Sequence, residues 1–242
     1  MKDDKKLPFK EHLREFRQRI IISLLTIGLF FILSYIFTKY IIELLLRPII
    51  SLLPKGGGVI FLGPTEAFFI YIKVSIIFGI FISAPIIIWE IWAFVAPGLY
   101  EREKSHILPF LILMPLLFII GVTTGYLFIL PIILKFFIGF SNDFIKPLLS
   151  INEYLTFSAK FLAIIGIIFE IPIVSIFLAK IGIIDPIKLS KNRRYAILII
   201  FIISAIITPP DIVSQIAVAI PFIIIYEISI ILARIFRKKA LS

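Results

Sequence analysis

The chain has 242 residues, 60% of them hydrophobic, and a mean hydropathy of +1.11; a soluble fold of this length cannot hide so much apolar surface, since soluble domains run roughly 45–50% apolar. With no cysteine, disulfides, thiolate metal sites and thiolate nucleophiles are excluded. The formal charge of +10 collects at the ends of apolar runs rather than in a basic stripe with interleaved aromatics, which excludes a nucleic-acid surface and points to an integral membrane protein.

The first nineteen residues are charged and amphipathic. Phe9, Leu13, Phe16 and Ile20 recur at helical spacing and predict an apolar stripe on the membrane surface, with Glu11, Glu15 and Gln18 on the far face, toward water. Asp3, Asp4 and Glu11, and the lack of a small-residue cleavage site, argue against a transit or signal peptide.

Six apolar runs follow, at about 20-39, 68-94, 107-134, 155-179, 195-208 and 212-233; a spanning helix needs about 20 such residues. Between the first two lies an interfacial loop, 40-66, in which Ile41 to Arg47 predicts a short surface helix stopped by Pro48. Gly56-Gly57-Gly58 reads as a flexible turn without the lysine of a phosphate loop. The last two runs are separated by Thr208-Pro209-Pro210-Asp211, a turn that no helix can cross. The thirteen residues from Ala196 to Thr208 reach only about 20 Å, short of the ~30 Å hydrocarbon core, which predicts a locally thinned bilayer. With six spans, eighteen lysines and arginines fall on the side of the two termini and five on the other, so both termini are expected in the cytoplasm.

Carboxylates on that basic side are the first candidates for chemistry. Glu15, Glu101 and Glu103 would let a cationic surface accept a cationic ligand, and a carboxylate grips a planar guanidinium through two parallel hydrogen bonds that an ammonium cannot make. Glu170 is expected deep in the fourth span, where an ionisable group is costly and is a functional candidate by default. Lys73 and Lys160 read as snorkelling residues, Glu90 as an interfacial residue between Trp89 and Trp92, and Gln215 as a polar candidate on the last span. Pro85, Pro115, Pro172 and Pro221 each predict a kink. No His-Glu-x-x-His or Gly-x-Ser-x-Gly motif occurs, so neither a catalytic site, a metal nor a cofactor is expected.

His12-Leu13-Arg14-Glu15-Phe16-Arg17-Gln18-Arg19 resembles the His-Leu-x-Glu-Leu-Arg-x-Arg signature of the TatC family. Ser83-Ala84-Pro85, then Trp92 to Tyr100 and Glu103, resemble its second helix and first cytoplasmic loop. Phe169-Glu170-Ile171-Pro172 is similar to its mid-membrane Phe-Glu-x-Pro, and Thr208 to Asp211 with Gln215 and Pro221 to its last outer turn and sixth span. The departures are Phe16, Gln18 and Glu101.

The resemblance implies an all-α integral membrane protein: six transmembrane helices in a concave, cupped bundle with short kinked helices five and six. It implies the signal-receptor subunit of the twin-arginine translocase, binding signal peptides of folded precursors at the cytoplasmic face and using the proton gradient. The implied signal-peptide residues are Glu15, Glu103 and Phe94, together with His12, Arg17, Arg19, Leu99 and Tyr100. The implied intramembrane polar or partner contacts are Glu170, Gln215, Pro48, Pro85 and Asp211. Implied partners are single-span TatA- and TatB-type proteins, further copies of the chain and the lipid bilayer, in a bacterial inner membrane or a thylakoid. A small proton- or cation-coupled transporter using Glu170 is the alternative reading, and a scaffold of a respiratory or photosynthetic complex a third.

Overall fold

The structure is a computed structural model that describes residues 9–95, 101–141, 147–180, 182–208 and 212–236, without the side chains at 9, 95, 101–109, 111 and 214. Five of its helical stretches are long and apolar enough to cross a membrane: Lys10–Ile36, Glu66–Phe94, Ile112–Ile138, Ile151–Lys180 and Gln215–Ile235.

Helix α1 (Phe9–Ile36) takes the amphipathic segment and the first apolar run together as one helix of 28 residues. Its apolar stripe is exposed, as a stripe lying against the membrane should be, and Glu11 and Gln18 are exposed on the far face, but Glu15 does not face water. Leu13, Phe16 and Ile20 are 50%, 46% and 41% exposed, whereas His12, Glu15, Arg19, Ser34 and, just beyond the helix, Thr38 turn inward. The helix they face is α3 (Glu66–Val95). The reason is the solvent: a side chain facing hydrocarbon must be apolar, so polar groups seek protein. Along the seam the Thr38 and Ser75 hydroxyls lie 2.6 Å apart. Gly79 lets the two backbones nearly touch, since a Cβ there would stand 2.8 Å from the Phe31 nitrogen.

Helix α2 (Thr38–Ile50) follows after a single residue. Pro48 does not stop it; the proline lies inside, in the last turn, and is buried with Ile41, Leu45 and Ile49. A proline nitrogen cannot donate to the carbonyl four residues back. That carbonyl, Leu44, instead accepts from the Tyr126 hydroxyl at 2.6 Å, and the next one, Leu45, from Tyr154 at 2.7 Å. Tyr126 is presented by a π-helical turn (Gly125–Ile129) that joins α4 (Glu101–Thr124) to α5 (Leu130–Ile138). The third apolar run is thus one continuous rod with a widened turn in it.

Helix α6 (Ile151–Lys180) is the centre of the bundle, with Leu155, Phe161, Leu162, Ile165 and Ile168 in the main core. It crosses α4 by two reciprocal fits. A Cβ on Gly121 would lie 2.7 Å from Phe169, and one on Gly166 would lie 2.6 Å from Phe118. Each glycine is the socket for an aromatic ring of the other helix.

Beyond α6, a short helix α7 (Pro186–Lys191) is capped by the Asp185 carboxylate, which accepts from the Ile187 N–H at 3.0 Å. Helices α8 (Arg193–Ile207) and α9 (Ile212–Ile235) form a hairpin. At 15 residues α8 is short for a span, and Gln215 on α9 donates to the Phe201 carbonyl of α8 at 2.9 Å.

Two strands interrupt the all-helical expectation. Strand β1 (Gly58–Ile60) pairs in parallel with β2 (Leu148–Ser150), Gly58 opposite Leu148. The triple glycine is therefore more than a flexible turn: Gly56 has φ of 86°, open only to glycine at low cost, and Gly58 starts a strand. Glu66 at the head of α3 folds back onto the N–H groups of Leu62 and Gly63 and reaches the Ser150 hydroxyl at 3.3 Å. The loop before α3 and the loop before α6 are thereby joined on one rim.

The close approach of α1 to α3 gives a direct test. Gly79→Val should destabilise the protein by about 1–3 kcal/mol, because backbone rather than a mobile side chain lies in the way. Gly28→Ala, on the same helix pair but with nothing within 4 Å, should stay within about 1 kcal/mol of the parent. Thermal unfolding in detergent measures both.

Candidate functional site

At the end of the bundle that carries the start of α1, three charged side chains meet. Arg19 donates from Nε and Nη2 to one oxygen of Glu15, Oε1, at 3.1 and 2.7 Å, and from Nη1 to Oε2 of Glu90 at 2.8 Å. Glu15 and Arg19 are one turn apart on α1; Glu90 comes from the facing turn of α3. All three are partly shielded, Glu90 most, with 14% of its side chain exposed. One guanidinium thus bridges two carboxylates, leaving the cluster with one net negative charge. No described residue bonds the second oxygen of Glu15. A crevice of about 420 Å³ opens beside it, lined by Glu11, Arg14, Glu15, Gln18, Arg19 and Ile22.

One turn further toward the chain start, the Phe94 ring stacks on His12 at 4.4 Å and meets Phe16 at 5.2 Å. Phe94 and Glu90 are four residues apart on α3, as Glu15 and Arg19 are on α1, so aromatic and ionic contacts form successive rungs of one seam. The structure therefore brings together His12, Glu15, Arg19 and Phe94 of the expected residues. Arg17 does not join them; it is exposed and about 200° around α1 from Glu15. Leu99 and Tyr100 lie outside the described residues. Glu103 is the third residue of α4, and its side chain is likewise outside the description. Glu90 is the residue that sequence reasoning undervalued. Its signal was present, an acid placed one turn before Phe94 at the basic end of the chain, but the flanking tryptophans suggested mere anchoring.

A family model described as Sec-independent protein translocase protein (TatC) matches residues 11–221. The chain belongs to the TatC family. Sec-independent protein translocase proteins TatC from Desulforapulum autotrophicum and Carboxydothermus hydrogenoformans are 44% and 39% identical to it, over 98% and 99% of this chain and 88% and 98% of theirs. The TatC of Aquifex aeolicus is 40% identical over 96% of this chain and 97% of its own. Two crystal structures of the twin-arginine translocase receptor TatC, one of them in DDM, superpose with TM-scores of 0.85 and 0.84 at 40% and 41% identity, covering 93% and 92% of this chain and 99% of each of theirs. As a TatC, the protein is a multi-pass membrane component of the twin-arginine translocase, working with other Tat subunits in lipid, and it is not an enzyme. This membership does not favour the transporter reading of Glu170.

The intramembrane residues of this TatC do not form one site. Gln215 is engaged with α8, Pro48 sits at the α2 carbonyls taken by the two tyrosines, and Pro85 lies inside α3. No described hydrogen bond joins any of them to Glu170, and Asp211 lies outside the described residues. Glu170 follows Phe169, the ring held against Gly121. Both of its carboxyl oxygens are shielded and neither has a hydrogen-bond partner among the described residues. No described cluster of three His, Asp or Glu residues could hold a metal.

A shielded carboxyl group without a partner costs stability, about 1–3 kcal/mol for an unsatisfied polar group and more if charged. Glu170→Gln should therefore leave thermal stability in detergent unchanged within about 1 kcal/mol, and Glu170→Leu should raise it. A marked fall in melting temperature for both variants would show that Glu170 holds the TatC bundle together.

Proposed function

We propose that this chain is the receptor that binds twin-arginine signal peptides of folded precursor proteins and organises their export, driven by the proton-motive force. The observation that carries the reading is the half-occupied Glu15. Its carboxylate is already oriented by a guanidinium, Arg19, and its other oxygen is unengaged at the mouth of a crevice. A cluster of two carboxylates around one arginine has chemistry to accept a second arginine. A precursor guanidinium would form charge-assisted hydrogen bonds with that free oxygen, which a lysine could match in charge but not in its planar fork. Arg19 is then a positioning residue, and Glu90 holds Arg19 in place. Glu103, at the start of the next helix, is proposed to take the second arginine of the pair, and Phe94, Leu99 and Tyr100 are proposed to bind the signal peptide as well.

In this reading six spans, with α8 the short fifth, form a cup with both termini in the cytoplasm, as the excess of lysine and arginine at that end supports. The short α8, with its hairpin partner α9, which at 24 residues is not the short sixth helix expected from sequence, is where single-span TatA- and TatB-type helices dock, and several copies of the chain assemble into the receptor complex. The membrane of this reading is a bacterial inner membrane.

Photocrosslinking of a twin-arginine precursor to the chain in inverted membrane vesicles tests the assignment. Glu15→Gln and Glu103→Gln should each lower the crosslink at least about tenfold, the cost of losing a charge-assisted pair. Glu90→Gln should lower it less, because it acts through Arg19. Undiminished crosslinking in the Glu15 and Glu103 variants, inserted at normal levels, would remove the receptor assignment.

A further inference from the structure

At the opposite end of the bundle the structure holds a larger crevice, about 710 Å³, between α3, α5 and α6. It has two cations on an apolar wall. Lys73 lies about 10 Å along α3 and Lys160 about 13 Å along α6 from the ends of those helices, so both charges start well inside the spans. Lys73 reaches back toward the rim, donating to Asn152 at 2.6 Å and Thr156 at 3.1 Å. Both acceptors are neutral, so the charge is hydrated by protein but not compensated, and one of the three ammonium donors is unused. Thr156 and Lys160 are one turn apart on the same face of α6, so the two ammonium groups look into the same space. Lys160 is exposed on the flank of the bundle and has no hydrogen bond or ion pair among the described residues. The wall behind them is made by Phe137 and Phe157, whose rings meet at 6.2 Å.

We propose that this crevice is a binding site for an anionic phospholipid, with the phosphate between Lys73 and Lys160 and an acyl chain along Phe137 and Phe157. An uncompensated ammonium on a surface facing hydrocarbon is expensive, and a lipid phosphate is the anion that the membrane itself supplies at that depth. The crevice is also of the size and mixed polarity of small-molecule sites. Its charge selects the headgroup. Among the described lining residues, Lys73 and Lys160 against the single acid Glu153 leave one positive charge. Phosphatidylglycerol, with one net negative charge, neutralises it; zwitterionic phosphatidylcholine does not. Glu153 makes no ion pair with either lysine among the described residues, so both ammonium groups are left to the phosphate. The inference does not depend on the receptor reading, since it concerns other residues at the other end of the molecule.

Native mass spectrometry of the full, delipidated chain in detergent, titrated with phosphatidylglycerol or phosphatidylcholine, tests it. The parent should retain phosphatidylglycerol at least about tenfold better than phosphatidylcholine, and Lys160→Gln and Lys73→Gln/Lys160→Gln should lose that preference. Lys160→Gln changes an exposed side chain, so folding is not at stake; Lys160→Arg should retain the lipid. Lys188→Gln, which removes an exposed charge from α7, should behave as the parent. Equal retention of the two lipids by the parent, or an equal loss in Lys188→Gln, would overturn the site. So would full displacement of the lipid by millimolar inorganic phosphate, which would make the crevice a site for free anions.

Discussion

Hydrocarbon cannot hydrogen-bond, and the architecture of this chain follows from that single fact. Polar side chains on a spanning helix are cheapest where they meet protein, so the helix pair α1–α3 is stitched along a polar seam while its outer surface is left mostly to leucine and isoleucine. The seam runs from His12 against Phe94, through the Glu15–Arg19–Glu90 bridge, past Gly79, to Thr38 against Ser75. The contacts that hold α1 in place are therefore the same ones that, in the proposed receptor, would present a carboxylate to a ligand.

The same rule extends to the backbone. Proline in a helix frees a carbonyl, and in water the solvent would satisfy it. Here Pro48 leaves Leu44 without its helical partner, and Tyr126 supplies a hydroxyl from the widened turn between α4 and α5. Tyr154 of the central helix adds a hydroxyl to the neighbouring Leu45 carbonyl, so three segments distant in sequence meet beside the proline.

Much of this was legible in the amino-acid sequence, and the failures have one physical source. Length and apolar run located the long helices, and the spacing of acids at a basic end located Glu15. The stripe of Leu13, Phe16 and Ile20 is legible as a membrane-facing one, but Glu15 turns inward rather than to water, because Arg19 on its own helix and Glu90 on the facing one draw it into the seam. Pro48 reads as a stop because its local effect is visible in sequence and the compensating Tyr126, some 80 residues away, is not. The strand pair between Gly58 and Ser150 was invisible for a similar reason: three residues on each side carry no period, and only tertiary closeness pairs them. Glu90 needed its partner on another helix before its role could be seen.

The two sockets at the crossing of α4 and α6 bear on how this chain and its relatives can diverge. Gly121 receives Phe169 and Gly166 receives Phe118, with Glu170 next in line after the first of these rings. Neither member of a couple can be exchanged alone without a clash or a void. Bulk gained at 121 must be surrendered at 169, and bulk gained at 166 surrendered at 118. Substitutions here should accordingly travel in twos through the lineage, and the position of the carboxyl group beside them is inherited as a by-product of that bargain between helices.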